Sequence, residues 1–238
     1  MPLQTVAPQR LYQQIAEQLR TLITAGEFTP GSRLPAERDL AKQLGVSRPS
    51  VREALIALEV EGWVEVRTGS GVYVQDRTAT TAARGNPVAS NEWGPLELIR
   101  ARRVLEGEIA SLAASMAKRK DIAAMRLALA DMVRDADAGT LPIEGDRAFH
   151  SAIVQSTGNT VLIETIHGFW DSRRGPLFER LGGYFETVAS WRSAIAEHTA
   201  ILGAIVAHDA PGARVALHAH MDKSHTRFSA SWRRAKAS

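Results

Sequence analysis

The sequence contains no cysteine. This absence excludes disulfide bonds and thiolate metal ligands, so any metal ion would be held by histidine and carboxylate groups. The chain also lacks a run of about 18 apolar residues that could cross a bilayer, and its N-terminus lacks the apolar core of a signal peptide. We therefore expect a cytoplasmic protein that does not associate with a membrane.

A strong net charge is missing as well. The formal charge is only +3, and basic and acidic residues are equal in number between Met1 and Arg77. Composition therefore permits nucleic-acid binding without indicating it, and the argument must rest on where individual arginines lie. At 238 residues the chain is long enough for two domains.

A helix-turn-helix pattern occupies the first third of the chain. A helical segment at 36–44 is followed by Gly45, which can adopt a left-handed conformation, and by Ser47 as the N-cap of a second helix at about 48–61. After this helix the apolar residues alternate with polar ones, which predicts strands at 63–67 and 72–74. A glycine-containing turn joins the two strands into a hairpin. The sequence therefore predicts an α+β winged helix-turn-helix domain.

The rest of the chain is predicted to be helical. Residues 77–94 have no periodicity and are interpreted as a linker between an N-terminal domain, 1–76, and a C-terminal domain, 95–238. The C-terminal domain is predicted to be an all-α antiparallel helical bundle. Its six predicted helices are at about 97–117, 120–138, 142–156, 159–180, 184–207 and 210–232.

Several polar side chains at the start of the second helix of the motif are candidates for DNA contacts. This end of the helix enters the major groove in helix-turn-helix proteins. Arg48 and Arg52 could donate two hydrogen bonds to guanine, Ser47 and Ser50 suit phosphates or base edges, and Arg38 could hold the DNA backbone. The alternative is that these arginines are ordinary solvated charges.

A second group of residues has the spacing of metal ligands. Asp146 and His150 are four residues apart and so share one face of a predicted helix. His198 and His220 lie at similar heights on two antiparallel helices and could converge on that face. Three imidazoles and a carboxylate suit Zn²⁺, with Ni²⁺ or Mn²⁺ as alternatives. The alternative is that each histidine is an ordinary core or surface residue.

The N-terminal motifs resemble the winged-helix domain of the GntR family of bacterial transcription regulators. The matching text is LPAERDL at 34–40, GVSRPSVREAL at 45–55, LEVEG at 58–62 and RTGSGVYV at 67–74. The resemblance implies a homodimer that binds a palindromic site in double-stranded operator DNA. The implied DNA-contacting residues are Arg38, Ser47, Arg48, Arg52, Thr68 and Gly69.

The C-terminal motifs resemble the metal-dependent FadR-type effector domain (FCD) of the same family. The matching text includes RRVLEGEIA at 102–110, DRAFH at 146–150 and EHTAIL at 197–202. The resemblance implies that the metal ligands are Asp146, His150, His198 and His220. It also implies that Arg102 binds an acidic effector. A salt bridge from Arg102 to Glu106 is the other interpretation, and the two can coexist.

Three further stretches are RLYQQ at 10–14, EVEGWVEVRTGSG at 59–71 and GPLELIRAR at 94–102, and Arg173 follows shortly after Trp170. Within this branch they resemble most the repressors of hexuronate catabolism, and Arg173 is a further effector-binding candidate on that basis. We therefore expect a metal-containing repressor that a sugar-acid carboxylate releases from operator DNA. The alternatives are a regulator of another organic acid, a sensor of metal alone, a metallohydrolase and an architectural DNA-binding protein. A hydrolase would need a general base beside a metal-bound water, for which the sequence shows no motif.

Overall fold

The structure is a computed structural model that describes residues 10–76 and 92–230. The described residues form two compact units. One comprises 10–76, 92–96 and Gly175–Leu181, and the other comprises Glu97–Arg174 and Gly182–Ala230. Most of the predicted linker, 77–91, lies outside the described residues. The domain boundaries given above stay predictions.

The first unit has the predicted winged helix-turn-helix fold. Its helices are α1 (Leu11–Thr24), α2 (Glu37–Leu44) and α3 (Arg48–Val60), followed by strands β1 (Val64–Arg67) and β2 (Gly71–Val74). The strands are antiparallel, and Val64 pairs with Val74. Both α1 and α2 pack against α3, around a core that includes Tyr12, Leu19, Leu55 and Leu58.

The turn between α2 and α3 forms for the reasons that the sequence indicates. Gly45 ends α2 in the left-handed region, at φ 66°, which a residue without a Cβ adopts at little cost. Ser47 then caps α3, because its Oγ accepts a hydrogen bond of 3.2 Å from the backbone N–H of Ser50. The turn therefore fixes the direction in which the first residues of α3 project.

The remaining described helices number seven, where the sequence predicted six. They are α4 (Pro95–Met116), α5 (Arg119–Asp137), α6 (Ile143–Gln155), α7 (Thr160–Ser172), α8 (Pro176–Phe185), α9 (Val188–Val206) and α10 (Ala210–Phe228). None of the described helices is long and apolar enough to span a membrane. The fold class predicted from the sequence, a winged helix-turn-helix followed by an all-helical domain, is confirmed.

The prediction of one helix at 159–180 was wrong. The chain leaves the helix after Ser172 and begins another at Pro176. Proline has no N–H and disfavours the helical conformation in the residue before it, but it suits the first position of a new helix. The next helix begins at Val188 rather than 184, where the Thr187 hydroxyl accepts a hydrogen bond of 3.1 Å from the N–H of Ser190.

Helix packing brings distant parts of the second unit together. Helix α5 packs against α6 and α9, and α9 packs against α10. Buried apolar side chains, among them Met132, Phe149, Ile201 and Leu217, fill the space between these helices. The polar side chains that α6, α9 and α10 direct inward are therefore enclosed by a packed core.

Candidate metal centre and nucleic-acid interface

Four residues that the sequence singled out converge inside the second unit. Asp146 and His150 lie one turn apart on α6, His198 lies on α9 and His220 lies on α10. All four side chains are buried, and one potential ligand atom from each lies within 4.8 Å of the others. We call this group the Asp/His₃ cluster.

The three imidazoles are oriented by hydrogen-bond acceptors on their far side. Nδ1 of His150 contacts Glu106 Oε2, Nδ1 of His220 lies 2.8 Å from Glu197 Oε2, and Nδ1 of His198 lies 2.7 Å from the carbonyl oxygen of Ala194. Because each acceptor holds a proton on Nδ1, the Nε2 atoms are left to face the centre of the cluster. This is the orientation of histidines that bind a metal through Nε2.

The cluster needs a positive charge at its centre. Asp146 Oδ1 lies 2.8 Å from Nε2 of His198 and 3.6 Å from Nε2 of His150. It is buried, yet it accepts no well-directed hydrogen bond. A carboxylate oxygen facing imidazole lone pairs is repelled unless a proton or a metal ion lies between them. Three nitrogens and one oxygen fit a first-row divalent ion such as Zn²⁺.

The protonation states of Asp146 and His220 favour metal binding, whereas the raised pKa of His150 opposes it. Burial alone would raise the pKa of Asp146, but interactions with His150 and His198 hold that pKa well below its ordinary value. Burial, reinforced by the neighbouring His198, lowers the pKa of His220 to about 3. For His150 burial is outweighed by Glu106 and Asp146, which raise its pKa, so a proton and a metal ion compete there. The carboxylate is ionised and His220 is neutral, as ligands must be.

A pocket borders the Asp/His₃ cluster and includes Asp146 and His220 in its wall. Its empty volume is about 430 Å³, part of which is open solvent. Arg102 lies in this wall, and its Nε donates a hydrogen bond of 2.6 Å to Glu106. Its Nη2 is buried without a hydrogen-bond partner. The salt bridge between Arg102 and Glu106, which the sequence offered as one alternative, therefore forms. It still leaves Arg102 Nη2 as an unpaired donor in the pocket wall.

Two more side chains give the pocket its polar character. Arg173 donates hydrogen bonds of 2.7 Å to Asp146 Oδ2 and 2.5 Å to Glu186 Oε1. The indole Nε1 of Trp191 is buried in the pocket wall and has no hydrogen-bond partner. Sequence reasoning identified Arg173 but not its direct contact with a ligand candidate, and it gave Trp191 no role.

In the first unit, a cleft lies between the start of α2, the start of α3 and the hairpin. Arg33, Arg38, Arg48 and the hairpin residues 69–71 line it. The side chains of Arg38 and Arg48 are 83% and 55% exposed. Ser47, Thr68 and Gly69 are also exposed. Ser50 is buried and lies 2.8 Å from Ser47, Oγ to Oγ.

The structure does not place Arg52 in this cleft. Its side chain is 2% exposed, and its Nε and Nη2 donate hydrogen bonds of 2.8 and 2.6 Å to the carboxylate of Glu37. DNA contact by Arg52 stays a prediction, and in this structure its guanidinium is held by Glu37 instead. Arg52 lies on the face of α3 that packs against α2, whereas Arg48 lies at the open end.

Arg33 lines the cleft but was not identified from the sequence. It precedes α2, and its exposed side chain lies against Gly71 of the hairpin. A Cβ at Gly71, where φ is +138°, would come within 2.5 Å of Arg33 Nε. The glycine therefore allows the arginine to lie beside the turn end of the hairpin, where Gly71 pairs with Arg67.

A winged helix-turn-helix unit joined to a helical unit with a polar ligand pocket defines a class: a transcription regulator with a separate ligand-binding domain. Comparison with known proteins agrees. Residues 11–74 match the model of bacterial regulatory proteins of the gntR family, and residues 97–223 match the FCD domain. The chain belongs to the GntR family and carries an FCD domain.

Individual relatives are transcription regulators. The chain is 38% identical over 219 residues to the Uxu operon transcriptional regulator of Escherichia coli K12, covering 90% of this chain and 85% of that protein. It is 35% identical to the Exu regulon transcriptional regulator of the same organism, covering 91% and 84%. The solved structure of E. coli McbR/YncC is 27% identical, with a TM-score of 0.50 over 90% of this chain and 95% of that one. The chain is thus a regulator rather than an enzyme.

Proposed function

We propose that the protein is a repressor that leaves its operator when a sugar acid of the hexuronate type binds in the second unit beside a Zn²⁺ ion. One observation carries this proposal. The buried Asp/His₃ cluster adjoins a pocket whose wall holds two unpaired buried hydrogen-bond donors, Arg102 Nη2 and Trp191 Nε1, beside Asp146, whose unpaired Oδ1 faces the histidines of the cluster. A ligand rich in acceptors and negatively charged is the complement of such a wall.

The effector would be recognised by its carboxylate and a hydroxyl group. A guanidinium presents a planar fork of donors that fits a carboxylate, and Arg102 has a free arm of this fork. An indole N–H can donate to a hydroxyl oxygen. The similarity to the Uxu and Exu regulators over about nine-tenths of the chain favours a hexuronate among such acids.

The metal would be held by Asp146, His150, His198 and His220. When bound, it supplies positive charge and coordination positions that an oxygen of the effector can complete. The residues of the chain do the rest of the recognition. Arg102 orients the carboxylate, and Arg173 holds Asp146 in place through its 2.7 Å hydrogen bond.

Operator DNA would bind in the cleft of the first unit. Arg48 would read bases from the start of α3, with Ser47 and Ser50 at the same helix end and Thr68 and Gly69 at the wing tip. Arg38 and Arg33 would contact the phosphate backbone. Two copies would form a homodimer on a palindromic site. We assign Arg52 to holding α3 against Glu37 rather than to DNA.

The effector and the operator DNA would weaken each other's binding. If the effector weakens operator binding by some factor, operator DNA must weaken effector binding by the same factor. An effector that moves the equilibrium from almost fully bound to almost fully released must distinguish the two states by about 5 kcal/mol. An anion bound next to a buried metal can supply a difference of this size.

The alternatives are a different organic acid or the metal alone. The test is operator release, followed by fluorescence anisotropy, with glucuronate, galacturonate, their aldonate relatives, small dicarboxylates and Zn²⁺ added separately. We expect a hexuronate to release the operator from zinc-loaded protein and to lose this effect after chelation. Release by Zn²⁺ without any acid would establish a metal sensor, and release by a dicarboxylate alone would replace the hexuronate.

A further inference from the structure

Three arginines in the wall of the pocket are each connected to a different member of the Asp/His₃ cluster. We propose that Glu106 and Glu197 are positioning residues that link two of these arginines, Arg102 and Arg227, to the cluster, so that metal and effector anion strengthen each other's binding. The effector part of this inference rests on the function proposed above. The metal part does not depend on it.

The first connection runs through Glu106, which is buried. One carboxylate oxygen accepts a hydrogen bond of 2.6 Å from Arg102 Nε, and the other contacts Nδ1 of His150. Both partners are donors. The carboxylate therefore fixes the ring of His150 with its Nε2 inward and fixes the guanidinium whose Nη2 remains without a partner.

The second connection has the same chemistry on the other side of the cluster. Glu197 Oε2 accepts a hydrogen bond of 2.8 Å from Nδ1 of His220, and Glu197 Oε1 accepts one of 3.0 Å from Arg227 Nη1. Arg227 lines the pocket, although no sequence feature suggested a role for it. We therefore add Arg227 to the effector-facing arginines.

The third connection is direct, since Arg173 Nη1 donates to Asp146 Oδ2 at 2.7 Å. His198 differs from the other members because a backbone carbonyl, that of Ala194, accepts its Nδ1 proton. Three of the four members of the cluster thus have their orientation linked to a pocket arginine, and the fourth is held by the backbone.

This arrangement makes the two sites depend on each other. A metal on Nε2 of His150 keeps the proton on Nδ1, which holds Glu106 where it also receives Arg102. An anion bound to Arg102 draws on part of the positive charge of the guanidinium. Glu106 then becomes a stronger acceptor for the Nδ1 proton of His150, and the imidazole of His150 becomes a stronger ligand for the metal. By linkage each ligand raises the affinity of the other by the same factor.

The metal arm of the test compares Glu106→Gln and Glu197→Gln with the wild-type protein, using Zn²⁺ alone. A glutamine replaces one of the two carboxylate oxygens with an NH₂ group, which donates, so it cannot receive a donor at both of the positions where the carboxylate accepts one. We expect each substitution to weaken Zn²⁺ binding about 10- to 100-fold. The matched control is Glu108→Gln. Glu108 lies on the same helix as Glu106, and its substitution removes only a surface ion pair with Arg214. This variant should keep its Zn²⁺ affinity within twofold of the wild type.

A spectroscopic measurement separates positioning from a general loss of structure. In zinc-loaded protein, Glu106→Gln should shift the Nδ1–H resonance of His150 upfield and leave that of His220 in place, and Glu197→Gln should do the reverse. Unchanged resonances together with wild-type Zn²⁺ affinity in both variants would overturn the positioning role, as would loss of both signals in both variants.

The coupling arm measures Zn²⁺ affinity with and without glucuronate. We expect glucuronate to raise Zn²⁺ affinity of the wild-type protein by about 5- to 150-fold, and to do so much less in Glu106→Gln and in Arg227→Gln. If glucuronate raises the Zn²⁺ affinity of the wild type and of the variants by the same factor, the effector couples to the metal by direct coordination. The inference would then fail, while the proposed function would stand. Binding of Zn²⁺ without any response to glucuronate would contradict the effector proposal and leave the result of the metal arm intact.

Discussion

Arg52 and Glu37 form a buried ion pair with two hydrogen bonds, of 2.8 Å from Nε and 2.6 Å from Nη2. The pair ties the recognition helix α3 to α2, and thus fixes the angle between the two helices of the motif. A residue that the motif alone would assign to DNA is therefore part of the support that holds its neighbours in position.

The first prediction concerns this pair. Arg52→Ala would leave the buried Glu37 carboxylate with only a long contact, 3.9 Å, to Arg48 Nη2, so the free energy of unfolding should fall by about 3–5 kcal/mol. Urea unfolding followed by circular dichroism measures the change. The double variant Arg52→Met with Glu37→Leu should recover most of the loss. A stable Arg52→Ala protein that no longer binds its operator would restore Arg52 to the DNA contacts.

The second prediction concerns Arg48, whose side chain is 55% exposed in the cleft. Arg48→Ala should cost about 1–3 kcal/mol of discrimination between operator and random DNA, with little change in stability. Anisotropy titrations on both DNAs measure this. Arg33→Ala is the comparison, because loss of a phosphate contact should weaken binding to both DNAs alike and reduce the salt slope by about one. Equal losses on both DNAs for Arg48→Ala would remove it from base readout.

The third prediction is that His198→Ala and His220→Ala lose the bound metal. Each removes one of the three imidazoles of the cluster, and a site with two imidazoles and one carboxylate binds Zn²⁺ more weakly. Elemental analysis after dialysis gives the stoichiometry. His167→Ala, a histidine outside the cluster, should keep its metal. Full stoichiometry in either cluster variant would exclude that residue as a ligand.

The fourth prediction is that Arg102→Lys weakens binding of a hexuronate. Lysine keeps the charge, but it lacks the guanidinium fork that reaches Glu106 and the pocket together. Isothermal titration of zinc-loaded protein should show a loss of affinity of about tenfold or more, as expected for one charge-assisted hydrogen bond. Unchanged affinity would leave Arg102 only its ion pair with Glu106.

The fifth prediction concerns the indole of Trp191. Trp191→Phe keeps an aromatic ring in the pocket wall but removes the unpaired Nε1–H. If this group donates to a hydroxyl of the effector, the substitution should cost about 0.5–1.5 kcal/mol for a hexuronate. Binding of a carboxylate without hydroxyl groups should not change. Equal losses for both ligands would indicate a packing effect instead.

The break after Ser172 shows why helix ends were harder to predict than helices. Apolar periodicity continues through 159–180, and the signal that stops the helix is a local one, Gly175 followed by Pro176. The break matters for the site, because it leaves Arg173 at the end of α7, where its guanidinium reaches Asp146. A continuous helix would have fixed this side chain differently.

The sequence by itself determined the fold class, the helix-turn-helix and the placement of Asp146 and His150 on one helix face. These features depend on local rules: periodicity, capping residues and spacing along one helix. His198 and His220 were added by motif resemblance and by their similar predicted heights, and the packing of α6, α9 and α10 brings them to the same place. Only the tertiary structure decided which arginine of α3 is buried and which carboxylates receive the imidazole protons. Glu197 is far from His220 along the chain and Glu106 is far from His150, so their contacts exist only because α4, α6, α9 and α10 fold together.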